Sequence, residues 1–329
     1  MLFKTEKICY NAVMETRKDK QKGAIASFIE EPTPAKLSGL TFSVVSIVAV
    51  CVACIFTLTL ILSGVVNTPD YDQQDWYLYC TFLLTPLAFA GSAVLLARWY
   101  KMPMKAELKA QKCHPKYFLL AITLQIGLFG LSELNVLFLE VLEKIGYVET
   151  PIVLPSMDGF GFVGVLIAVA LLPAIFEEII FRGFLLKGMR AFGTMGAVLI
   201  SGALFALFHQ NPAQTIYQFC CGAAFALVAV RAGSILPTMV SHFINNALIL
   251  TLTKYGVSSF PTPVFITVVC ISALCLVGSL SWLLVKEKQP LAPLEKTEQK
   301  TERKRFWLAA SAGLIICGIS WLSALFMGM

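Results

Sequence analysis

Thr41–Val66 reads TFSVVSIVAVCVACIFTLTLILSGVV, a stretch with no charged residue. A helix needs about 20 apolar residues to cross the roughly 30 Å hydrocarbon core of a bilayer, so this stretch is long enough to span one. Trp76–Ala97 is likewise uncharged. The whole chain of 329 residues follows suit: 57% of it is hydrophobic, 14% is charged, and its mean hydropathy is +0.75. Soluble domains carry about 25% charged residues, so a water-soluble enzyme is excluded. Further apolar runs lie at Tyr117–Val141, Phe160–Leu186, Met195–His209, Ala213–Val230, Ile235–Thr253, Pro263–Val285 and Phe306–Met329. The expected fold class is all-α, a polytopic helical membrane protein with about nine transmembrane helices, eight being the alternative. The shortest runs, around 195–209 and 213–230, are also suited to a re-entrant hairpin about Gln210-Asn211-Pro212.

The charges test that reading. The net charge is +6, from 26 Lys and Arg against 20 Asp and Glu. A basic surplus can signal nucleic acid, but here the basic residues fall between apolar runs, and no nucleic-acid partner is expected. With the N-terminus cytoplasmic, 23 of the 26 fall on inner segments. The outer loops hold Lys144 and Lys254, and Arg182 lies inside a span. Such asymmetry orients membrane proteins with their basic loops in the cytoplasm, which puts the C-terminus outside. The expected organisation is a basic cytoplasmic arm at 1–40, three spans within 41–159, a core at 160–253, and C-terminal spans within 254–329. A charged cytoplasmic loop at 286–305 would leave the last span peripheral. The ten cysteines are scattered, mostly inside apolar stretches, and read as small buried hydrophobes.

Ionisable residues inside a bilayer cost at least a few kcal/mol and are functional candidates by default. All five aspartates fall outside the spans, which excludes an intramembrane aspartyl dyad. The set inside is Glu133, Glu140, Glu177, Glu178, Arg182, His209 and His242. Glu178 and Arg182 stand at i, i+4 with the acid first, the favourable order for an intrahelical pair. That leaves Glu177 without an intrahelical basic partner and makes it the carboxylate suited to taking a proton from water. Phe205 and His209 share a face at i, i+4, as do His242 and Asn246, while Asn245 points elsewhere. Taken singly, each group is equally well explained as an ion cluster, a polar cap or interhelical glue. Depth argues for taking them together. Counted from the inner span ends at about 1.5 Å per residue, Glu177 lies roughly 20 Å in, His209 about 22 Å and His242 about 14 Å, near one middle layer. Pro173, one turn before Glu177, breaks the helix ladder there.

Glu-Glu-x-x-x-Arg (177–182), Phe-x-x-x-His (205–209) and His-x-x-x-Asn (242–246) occur in this order in helices. In that order and spacing they resemble the CPBP family of intramembrane proteases, also called the CAAX protease or Abi family, which includes Rce1-like type-II CAAX prenyl endopeptidases. The resemblance covers roughly residues 160–253 and implies a catalytic core there. It implies that Glu177 and His209 activate a water, that His242 and Asn246 hold the developing oxyanion, and that Glu178, Arg182 and Phe205 orient the site. It further implies peptide hydrolysis without a cofactor. Its implied partners are membrane lipid and a peptide or membrane-protein substrate, prenylated or bacteriocin-like.

Two other chemistries use the same residues. Glu177, His209 and His242 form a His₂Glu set of the kind that holds catalytic zinc, although the His-Glu-x-x-His helix of many zinc proteases is absent. An ion or proton transporter would also use intramembrane Glu and His, and a bacteriocin-immunity or scaffold protein could carry the motifs without turnover. Glu133 and Asn135 favour the transporter most; interhelical hydrogen bonding is the reading we prefer for them.

Overall fold

In a computed structural model the protein is described at residues 33–99, 112–149, 151–287, 291 and 294–329. Most of the basic arm (1–32) and Lys101, Lys105, Lys109 and Lys288 lie outside the described residues. Among the described residues every regular element is helical. We number the main ones in chain order. α1 is Pro34–Leu62, α2 Asp75–Trp99, α3 Lys116–Phe129 and α4 Ser132–Lys144. α5 is the helical run 161–192, followed by α6 (Gly193–Phe208), α7 (Thr215–Ala232), α8 (Leu236–Lys254), α9 (Thr262–Ser281) and α10 (Lys296–Met327).

Among the described residues seven helical runs are long and apolar enough to cross a membrane, beside the nine apolar stretches of the sequence. The two departures have local causes. Residues 161–208 count as one apolar run, yet Gly193 turns the chain between α5 and α6 at φ +69°, a conformation that glycine adopts without penalty. α8 falls short because Thr238, Ser241, His242, Asn245 and Asn246 dilute its apolar content. The helices present their large apolar side chains outward: Ile55 is 65% and Leu274 75% exposed. Exposed apolar surface on that scale is lipid-facing in a membrane protein.

α5 is the hub of the fold. It packs on α1, α2, α6 and α8, and its side chains Phe181, Leu185 and Met189 lie in the main core with Phe42, Phe89 and Phe205. Small residues set the closest approaches, as is usual where lipid offers no hydrophobic drive between helices. A Cβ on Gly202 would stand 2.8 Å from the Ala223 nitrogen, so α6 and α7 nearly touch. Gly127 meets Leu276 in the same way, joining α3 to α9.

The last helix is not peripheral. α10 lies along α1, where Ser43 Oγ donates to the Ala309 carbonyl (2.6 Å), Gly313 N–H donates to Ser43 Oγ (3.1 Å), and Cys317 Sγ is 3.3 Å from Ser46 Oγ. Nor is 286–305 all loop. The stretch from Lys296 is rich in good helix formers and folds as the start of α10, with Arg305 bonded to Glu302 (2.7 Å) and Arg303 to Gln299 (3.0 Å).

The two ends of the bundle differ in charge. At one end Lys116 pairs with Glu287 (2.6 Å), Arg231 donates to the Leu283 carbonyl (3.0 Å), and Arg303 donates to the Ala191 carbonyl (2.7 Å). At the other, Asp75 accepts from Ser156 N–H (2.7 Å), and Lys254 donates to the Met157 carbonyl (2.9 Å). The first end is the one expected to face the cytoplasm.

Candidate active site

Glu177 and Glu178 sit at the end of a short α-helical segment, Leu172–Glu178, between two wider-wound π segments at Leu166–Leu171 and Ile179–Leu185. π turns leave backbone groups out of the usual ladder and recur at functional sites. Pro173 adds to this, because it has no N–H for the carbonyl four residues earlier, that of Val169. Asn246 of α8 takes up that carbonyl, with Nδ2 donating to it at 3.3 Å.

The ion pair forms as the spacing predicts. Arg182 Nη1 lies 2.7 Å from Glu178 Oε1, and both side chains are fully buried. The guanidinium also donates from Nη2 to the Gly222 carbonyl (3.1 Å) and lies over the Phe205 ring, 4.4 Å from its centre. Gly222 is on α7 and Phe205 on α6, so one arginine ties three helices together.

His242 reaches between the two carboxylates. Its Nδ1 is 3.0 Å from Glu178 Oε1, and its Nε2 is 3.9 Å from Glu177 Oε2. The carboxylate at Nδ1 accepts that nitrogen's proton and so orients Nε2 towards Glu177. Glu177 Oε2 is buried without a hydrogen-bond partner, as are Glu178 Oε2 and Arg182 Nε beside it, a concentration of unsatisfied polar atoms that calls for an explanation. His209 closes α6. Its Nδ1 donates to the Phe205 carbonyl (2.8 Å), one of the last carbonyls of that helix, which lack intrahelical partners. With Nδ1 protonated, Nε2 of the neutral ring carries the lone pair. The Phe205 ring stands 4.7 Å from that of His209 and 6.0 Å from that of His242, so it separates and buttresses both.

Glu177, Glu178, Arg182, Phe205, His209 and His242 are therefore one neighbourhood, and Asn246 meets α5 earlier, at Val169. Glu133 and Glu140 are not part of it, for both are exposed on α4. Asn135 serves as interhelical glue. It donates to the Ala213 carbonyl and accepts from Tyr217 N–H (3.2 Å). That pins the α6–α7 hairpin, whose tip is shaped by Gln210 at φ +52° and by Asn211 accepting from Ala213 N–H (2.9 Å). Trp321 of α10 holds the same tip through Thr215 Oγ1 (2.9 Å).

The sequence reading missed Gln125, Tyr217, Gly222 and Phe225, and sent Asn245 elsewhere. Asn245 Oδ1 accepts from Gln125 Nε2 and from Tyr217 Oη, both at 2.7 Å, and its Nδ2 donates to Asn246 Oδ1 (3.0 Å). Gln125 is an amide 2% exposed in an otherwise apolar helix. Counting the cost of buried amides as well as charges would have flagged it.

Among the described residues, no group of three His, Cys, Asp or Glu side chains is placed to hold a metal ion. The Nδ1 atoms of His209 and His242 are both engaged, and Glu177 and His242 stand 3.9 Å apart. A cavity of about 500 Å³ lies away from the carboxylates, at the basic end, among Thr33, Arg190, Glu298 and Arg305.

The fold and its apolar helices define an integral, multi-pass membrane protein. Residues 159–248 match the family model described as Type II CAAX prenyl endopeptidase Rce1-like, in agreement with the CPBP/CAAX protease family expected from the motifs. The match runs from just before α5 into α8 and includes Glu177, His209, His242 and Asn246. No curated protein and no solved structure matches the chain. An Rce1-like domain carried on membrane-spanning helices supports an intramembrane protease.

Proposed function

We propose that the protein is a glutamate-dependent intramembrane endopeptidase that hydrolyses a peptide bond with an activated water. The observation that carries the reading is the pairing pattern. Glu178 Oε1 is committed to Arg182 (2.7 Å) and His242 (3.0 Å), whereas the ion-pair contact of Glu177 is the longer one to His242 Nε2, at 3.9 Å. In this reading Glu177 takes a proton from water, and Nε2 of His209 holds or shares that proton. The water oxygen bonds to the substrate carbonyl carbon. His242 Nε2, when its ring carries both protons, and Asn246 Nδ2 donate to the oxyanion. The C–N bond then breaks, and the proton passes to the leaving amine. Oxyanion donors of this kind are worth about 10²–10³ in rate. The substrate class is a peptide or protein in the membrane, and a prenylated Cys-aliphatic-aliphatic-X end is the first to try. The N-terminus is cytoplasmic and the C-terminus outside.

The test is cleavage of a farnesylated, quenched fluorescent peptide with such an end by purified protein in lipid. Glu177→Ala and His209→Ala are expected to abolish cleavage while the protein still inserts. Cleavage retained by purified Glu177→Ala removes Glu177 from the mechanism.

A further inference from the structure

Asn246 can help an oxyanion only if its amide presents NH₂, not oxygen, to the reacting carbonyl. A lone asparagine has no reason to prefer one face, since the two ends of the group are nearly the same size. Here the Val169 carbonyl, which accepts from Asn246 Nδ2, sets the choice on one side, and a chain of hydrogen bonds supports it from the other. The single hydrogen of Ser241 Oγ is shared between Gln125 Oε1 (3.3 Å) and the Ala121 carbonyl (3.1 Å). With its oxygen towards Ser241, Gln125 offers its NH₂ to Asn245 Oδ1 (2.7 Å). Tyr217 Oη, which can donate one hydrogen, gives it to the same oxygen (2.7 Å). Two donors on Oδ1 leave Asn245 Nδ2 facing Asn246, and it donates to Asn246 Oδ1 (3.0 Å). Asn246 Nδ2 is then on the side of Val169 on α5, with one hydrogen on the Val169 carbonyl and a second to give. Every link is directional: reversing one amide puts oxygen against oxygen at the next. Gln125, Ser241 and Asn245 are all buried, at 2%, 1% and 5% exposure, so water does not blur the sense of the chain.

We propose that Gln125, Tyr217 and Asn245 are positioning residues, a relay of hydrogen bonds from α3 and α7 through α8 that, together with the Val169 carbonyl, holds the Asn246 amide in the sense that presents its NH₂ to the substrate. The proposal rests on the reading of Asn246 as an oxyanion donor. Chains of buried polar groups fix one arrangement when all members are satisfied, and here Gln125 and Tyr217 act on Asn246 through Asn245 without touching Asn246 themselves.

The experiment is a coupling test with the farnesylated peptide. Asn245→Leu keeps the volume and removes the link; it should lower kcat about 30-fold and leave KM unchanged, less than the roughly 10²–10³ of an oxyanion donor lost outright. Tyr217→Phe removes one of two donors and should cost about 3–10-fold, the effect of one hydrogen bond. In an Asn246→Ala background both substitutions should cost less than about 2-fold further, because residues acting through one another are not additive. Additive losses, or full activity in Asn245→Leu, overturn the relay. Should Asn245→Leu fail to fold, Tyr217→Phe carries the same test. A second readout does not need turnover. The chain has six asparagines, so selective ¹⁵N-asparagine labelling gives few side-chain NH₂ signals, and Asn246 is assigned by their loss in Asn246→Asp. The relay requires those signals to move in Tyr217→Phe; unmoved signals overturn it. A wild-type protein that leaves the peptide intact counts against the proposed function, and the NMR arm still decides the relay.

Discussion

Replacing Arg182 by methionine keeps most of the stem volume and removes the charge. Arg182 is 1% exposed and makes three contacts that methionine cannot replace: the 2.7 Å bond to Glu178, the 3.1 Å bond to the Gly222 carbonyl, and the cationic face 4.4 Å above Phe205. Breaking a buried ion pair from one side costs about 3–5 kcal/mol, because the remaining charge is left buried. An orphaned carbonyl adds about 1–3 kcal/mol. His242 still bonds Glu178 from the other side and offsets part of the loss, so we expect about 4 kcal/mol. That is a large share of the 5–15 kcal/mol that holds a typical domain together. The double variant Glu178→Gln with Arg182→Met has no lone charge and should recover about half of the loss, since neutral replacements of buried pairs are often tolerated. The assay is unfolding in mixed micelles by titration with a denaturing detergent, followed by helicity. A cost below about 1 kcal/mol for Arg182→Met, or a double variant no more stable than the single, refutes the idea that this pair is held by charge compensation.

Other expectations follow from the same contacts. A Cβ at Gly222 would lie 3.0 Å from both Gly202 Cα and Phe205 Cβ, so Gly222→Ala should cost about 1–3 kcal/mol and lower cleavage by displacing Phe205 from the two histidines, measured by unfolding and by peptide turnover. At the basic end, Glu287 accepts from Lys116 and Tyr117 (2.6 and 2.8 Å). These bonds, that from Lys116 first, hold its carboxyl down from 4.5 to about 2. A depressed carboxylate stabilises the fold fully above its unfolded value. The contribution of Glu287 is therefore present above about pH 4.5 and is lost as the pH falls towards 2, and Glu287→Gln should remove this part of the stability–pH curve. For the metal-free mechanism, cleavage should survive a strong chelator, and the purified protein should contain no zinc by elemental analysis; loss of activity restored by added zinc would sink it.

The membrane class was legible because burying charge in lipid is so costly that its absence over twenty residues has one plain meaning. Hydropathy alone passes over α8 for a physical reason. α8 carries five polar side chains whose partners come from other helices, Gln125 on α3, Glu178 and Val169 on α5, Tyr217 on α7. A helix satisfied by its neighbours need not look apolar, and hydropathy scores it as if it stood alone. The docking of α10 on α1 was hidden for the converse reason. It rests on Gly39, Ser43 and Gly313, small residues whose value lies in letting backbones approach, and nothing in their local spacing announces a partner some 270 positions away.

The candidate site shows where local pattern ends and topology begins. The Glu178–Arg182 pair is an i, i+4 contact within one helix and could be read directly. The contact of His242 with Glu178 spans 64 positions and that of Gln125 with Asn245 spans 120, and no periodicity encodes either. Depth counting nevertheless brought His242 to the right layer, because a helix converts residue number into distance. It does not encode azimuth between helices, and for that reason Asn245 was sent away from a network in which it is the central member. The seven motif residues lie on three helices, but the groups that orient them lie on α3 and α7, outside every motif. If the relay holds, the tolerance of the motif to change is set by residues the motif does not contain. A protein with an intact Glu-Glu-x-x-x-Arg, Phe-x-x-x-His and His-x-x-x-Asn but an apolar residue at the place of Gln125 should then bind substrate normally and turn it over slowly.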